Sequence, residues 1–183
     1  MVRFFYTFHR CASKFIGKFC DLDYAWMIYN KSIRAKKSYD FKDGKMYGPI
    51  RISEDKISPI YLLNQSSYDY TPKIGVFMTR NKEDIMRSEY KTFGGSHGMS
   101  PLKSISEIQF LKQKKIQGMT EDEYLEYRKP YLDDEFDSIS QIADSCEESV
   151  FVTYEEMVND FDSFKKKTQP YFNKEIVNGS KTW

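Results

Sequence analysis

Two stretches of the chain gather residue types suited to holding an anion. The first is TFHRCASKF, residues Thr7–Phe15, where a run of strand-forming aromatics stops at a cationic turn and an amphipathic helix begins. A strand ending at Phe8, a turn over His9–Ser13 and a helix starting near Ala12 leave several backbone N–H groups unpaired. Those donors, together with the positive end of the helix dipole, favour a phosphate or sulfate. Arg10 adds a fixed positive charge, Ser13 a hydroxyl and Lys14 a second cation. Taken alone, the stretch fits an ordinary strand–helix junction with solvated cations equally well. The turn holds no glycine, so the GxxxxGK(S/T) pattern of nucleotide triphosphatases is not met.

The second stretch is VFMTRNKEDIMRSEY. Arg80 stands at the end of a predicted strand, Asn81 and Asp84 resemble a helix cap, and Ser88 lies two turns into the helix that follows. In a parallel sheet the strand ends open onto one edge, where α/β proteins bind ligands, so Arg80 can face a second anion beside the one at Arg10. A guanidinium matches phosphate oxygens through paired hydrogen bonds, and a serine hydroxyl completes the contact. Taken singly, each residue also fits a solvated surface position.

A third stretch, SVFVTYEEM, reads as a strand that runs into a helix. Together the three resemble the sulfotransferases that use 3′-phosphoadenosine 5′-phosphosulfate (PAPS). TFHRCASKF lies over that family's first strand–loop–helix motif, and Arg80, Asn81, Asp84 and Ser88 fill every fixed position of its R-(N/D)-x-x-D-x-x-x-S motif. SVFVTYEEM is similar to the later strand ending in YED-M, and the matches run in family order from residue 2 to roughly residue 172. The resemblance implies a P-loop-like sulfotransferase fold in a compact member, with PAPS as sulfuryl donor, adenosine 3′,5′-bisphosphate (PAP) as product and no metal. It implies that amides from Cys11, Ala12, Ser13, Lys14 and Phe15 hold the 5′-phosphosulfate and that Arg10 stabilises the leaving phosphate. Arg80 and Ser88 would bind the 3′-phosphate, and Tyr154 would lie against the adenine. Ala12 stands where glycine is common, and Arg10 where many members have lysine. His97 in GGSHG is the candidate to act on the acceptor, with Glu54 a second, although for both a surface role fits the residues better.

The elements that must position these residues alternate. Val2–Phe8 is a nearly continuous apolar run expected for a buried central strand, and Ala12, Phe15, Ile16, Phe19 and Cys20 recur at helical spacing. KDGK marks a turn, YGPIR a tight loop and PIYLL a possible short strand. Lys73–Thr79 is a strand, followed by a helix to about Phe93, and a further helix starts at Thr120 and should end or kink at Pro130. Ser149–Thr153 is another strand, followed by the helical YEEMVNDFDSFKKKTQPYF. The alternation predicts an α/β protein, three-layer α/β/α around a central parallel sheet, in a single domain over residues 1–183.

Composition narrows the function. The 183 residues carry 28 Lys+Arg against 27 Asp+Glu, a balance that gives no basic footprint for nucleic acid. Aromatics make up 16%, so rings should build much of the core. Cys11, Cys20 and Cys146 lack zinc-like spacing and read as reduced thiols in a cytoplasmic protein, and no apolar run approaches membrane-spanning length. The resemblance implies sulfuryl transfer to a hydroxyl of a carbohydrate or small metabolite. The alternatives are a kinase or nucleotide hydrolase, disfavoured by the glycine-free turn, and a non-catalytic nucleotide-binding or interaction protein derived from the same fold.

Overall fold

The computed structural model describes residues 1–8, 10–23, 42–52, 74–93 and 118–179. They fall into two compact units, Met1–Arg80 with Asp134–Trp183, and Asn81–Asp133.

Among the described residues, the first unit is built on a five-stranded sheet of β1 (Arg3–Phe8), β2 (Leu22–Asp23), β3 (Met46–Ile52), β4 (Ile74–Thr79) and β5 (Glu148–Thr153). The strands run β2-β3-β1-β4-β5 across the sheet, and every neighbouring pair is parallel. The α/β expectation with a parallel sheet therefore holds. β1 lies at the centre, with Phe4, Phe5, Tyr6, Thr7 and Phe8 all buried, as its continuous apolar sequence requires. Side chains alternate between the two faces along a strand. On one face the Phe8 ring stacks on Phe136 at 4.3 Å, and on the other Phe5 meets Phe172 at 5.8 Å. Tyr6, Phe77 and Phe151 form a stacked row across β1, β4 and β5.

YGPIR, expected as a tight loop, lies within β3. Tyr47 pairs with Phe4 and Ile50 with Tyr6, so three steps along β3 match two along β1. Gly48 and Pro49, joined by a cis peptide, sit in this bulge, which is how a strand accommodates residues that otherwise break it. Gly48 has φ +145°, and a Cβ there would stand 2.7 Å from the Phe5 carbonyl oxygen. PIYLL lies outside the described residues.

The helices of this unit begin in different ways, the first without a side-chain cap and the two later ones with one. α1 (Ser13–Gly17) buries Phe15, Ile16 and Gly17. Two further helices, Tyr154–Asn159 and Phe161–Thr168, stand where the sequence reading had one helical stretch. Thr153 ends β5 and at once caps the first of them, accepting from the Glu156 amide at 2.9 Å, and Asp160 caps the second through the Ser163 amide at 3.1 Å. Lys174 donates to the carbonyls of Lys18 and Cys20, tying the following segment to the far end of α1.

In the second unit, α2 (Lys82–Phe93) starts at the expected cap: the Asp84 amide donates to Asn81 Oδ1 at 3.2 Å. α3 (Glu121–Ser145) opens at Thr120, where the threonine hydroxyl accepts from the Glu123 amide and the Glu123 carboxylate accepts from the Thr120 amide. The helix does not end at Pro130. That residue and Glu126, whose carbonyl the proline leaves without a donor, are both exposed, so water can replace the lost bond. Residues 134–145 of α3 belong to the first unit.

Candidate functional site

Parallel pairing brings the carboxyl ends of β1, β4 and β5 to one edge, in register from Thr7 opposite Met78 to Thr79 opposite Thr153. After β1 the chain passes to the β2–β3 side of the sheet, and after β4 to the β5 side. The β1–β4 boundary is thus the topological switch point, the crevice where open α/β sheets take ligands. The Arg10–Phe15 turn follows β1, Arg80 follows β4 and Tyr154 follows β5.

These residues touch. Arg80 Nη1 donates to the Arg10 carbonyl at 2.8 Å, and the Arg80 guanidinium carbon stands 4.3 Å from the centroid of the Tyr154 ring. Arg80 Nε is buried and has no hydrogen-bond partner among the described residues. One guanidinium thereby joins the ends of three adjacent strands. The sequence marked all three positions; it did not mark their mutual contact, because each side chain's neighbour depends on strand order.

The turn itself is left-handed at two non-glycine residues, Arg10 with φ 62° and Ala12 with φ 50°. Alanine here takes a conformation that glycine adopts without steric cost. Left-handed Ala12 followed by helical Ser13 is the alternation of backbone conformations that can turn successive amides to one side, a geometry that receives anions. Ala12 carries no side-chain cap to fill it. Arg10 and Lys14 are exposed beside it. The Phe15 amide donates to the Ala12 carbonyl at 2.9 Å, and the Phe15 ring is buried against Phe19 and Phe161, so Phe15 serves the turn's own structure.

Cys11 is fully buried in the turn. Burial pushes its thiol up to about 12, against the lowering by the Arg80 charge, so it is a protonated packing group at neutral pH. The Glu155 carboxylate raises the same thiol and so adds an acidic group to this edge. Sequence reasoning passed over Glu155; its signal was its place directly after Tyr154 in YEEM.

Ser88 falls on α2 in the second unit. His97, Glu54 and His9 lie outside the described residues. Among the described residues no group of three or more His, Cys, Asp or Glu is placed to hold a metal ion, no helix is long and apolar enough to cross a membrane, and none of the three cysteines forms a disulfide. Compared with known proteins, the chain matches no family model, and no curated protein or solved structure matches it significantly.

Proposed function

We propose that the chain is a sulfotransferase of the P-loop-like type, moving a sulfuryl group from PAPS to a hydroxyl on a carbohydrate or small metabolite. The observation that carries this reading is the convergence of Arg10–Lys14, Arg80 and Tyr154 at the switch point of a parallel sheet. Three stretches picked out in the sequence for one type of ligand meet there, although they are separated by about 70 residues each time.

The chemistry asks for what this edge contains. Sulfuryl transfer resembles phosphoryl transfer, with a loose in-line transition state and charge moving to the leaving oxygen. Fixed donors and cations lower that barrier without having to reorganise. The Ala12–Lys14 amides would hold the phosphosulfate, with Arg10 meeting the charge on the leaving phosphate. Arg80 would take the 3′-phosphate, and His97 would act on the acceptor.

Arg80 is already held by the Arg10 carbonyl and the Tyr154 ring, which favours a second reading, a non-catalytic nucleotide-binding or interaction protein in which Arg80 braces the strand ends. Calorimetry with PAP, AMP and ATP on the native protein and Arg80→Ala separates the two. The enzyme reading expects selective PAP binding, weakened at least tenfold in the variant, and then sulfate transfer in an acceptor screen. Binding of PAP with no transfer to any acceptor favours the second reading. Equal or absent binding of all three nucleotides overturns the donor site.

A further inference from the structure

Arg80 is engaged on two sides and unsatisfied on a third. Nη1 donates to the Arg10 carbonyl, the guanidinium covers one face of the Tyr154 ring, and Nε is buried without an acceptor among the described residues. A buried donor lacking a partner is costly, so this guanidinium gains when an anion reaches it. The ring face it covers is the flat surface on which an aromatic base stacks. Each partner thus occupies the position that a nucleotide's two halves would claim.

We propose that Arg80 and Tyr154 form an exchangeable latch, closed through their own contact and opened by a ligand that carries both an aromatic base and a phosphate. The base replaces the guanidinium on the Tyr154 ring, and the released guanidinium turns to the phosphate. The inference rests on the reading that this edge holds a nucleotide. Its consequence is selectivity: when the guanidinium leaves the ring to meet an anion, an anion without a base restores nothing on that ring face, whereas a nucleotide restores both contacts. The closed latch therefore discriminates against free phosphate, sulfate and pyrophosphate.

The test reverses the sign expected of an ordinary contact residue. Pyrophosphate and PAP are titrated into the native protein and Tyr154→Leu by calorimetry, and the Arg80 Nε–Hε resonance is followed in ¹⁵N-labelled native protein. Removing the ring should tighten pyrophosphate roughly 2–5-fold, the worth of an exposed cation–ring contact, while weakening PAP. The Hε resonance should be shifted upfield by the ring in the free protein and lose that shift in the PAP complex; this measurement needs no variant. Pyrophosphate binding that is unchanged or weaker in Tyr154→Leu, or an Hε shift that persists with PAP bound, overturns the latch and leaves the anion site standing. Failure of both ligands to bind either protein removes the latch and the donor site together.

Discussion

At the scale of single residues, Cys11 shows how position decides chemistry. Its side chain lies inside the turn proposed to hold the phosphosulfate, yet burial outweighs the Arg80 charge and keeps it a thiol. The native group has a value near 12, against 9.0 when exposed, so the folded state binds the proton more tightly than the unfolded chain does. Stability from this group is complete below pH 9 and falls as pH rises from 9 toward 12, by on the order of 1 kcal/mol per pH unit. Urea unfolding of the native protein and of Cys11→Ala at pH 8 and pH 10.5 should show a steeper loss for the native protein. Equal losses would mean that the thiol ionises freely in the folded state. The strained backbone around it, with Arg10 and Ala12 both left-handed, is stored at the point where three strand ends are tied together.

Elements were legible where local pattern and tertiary environment agree. The apolar runs of β1 and β4 and the caps at Asn81 and Thr120 announce themselves in sequence, because strand burial and N-capping are written in adjacent residues. β3 was not legible: Gly48 and Pro49 punctuate YGPIR as a loop, and only the offset against β1 turns them into a bulge. Of the two outcomes expected at Pro130, the end of the helix does not occur, since an exposed helix face tolerates the lost hydrogen bond. The site was legible as three positions and hidden as a contact, because nothing near Arg80 in sequence names Tyr154 or the Arg10 carbonyl as its neighbours. The bulge supplies an element-scale prediction. Gly48→Ala puts a Cβ 2.7 Å from the Phe5 carbonyl oxygen at a positive φ, and should cost roughly 2–4 kcal/mol in chemical denaturation. A loss below about 0.5 kcal/mol would show that β3 does not approach β1 this closely.

At the scale of the whole molecule, the second unit carries its own buried ion pair. Arg128 Nε donates to Glu89 Oε2 at 2.9 Å and the Tyr124 hydroxyl to the same oxygen at 3.1 Å, with the Glu89 side chain only 5% exposed. Burial, then the neighbouring carboxylate, pushes the Tyr124 phenol upward, so it stays a donor across the physiological range. Arg128→Met strands a buried carboxylate and should cost about 3–5 kcal/mol, while adding Glu89→Met should recover most of that loss. Additive losses in the double variant would place the two side chains apart. The strand order of the first unit has a consequence for synthesis. Neither sheet neighbour of β1 exists until residues 46 and 74 have followed it. During translation RFFYTF therefore leaves the ribosome as an unpaired apolar strand and waits for partners tens of residues behind it. The segment that makes the centre of the finished sheet is, until then, an apolar strand in need of a chaperone's cover.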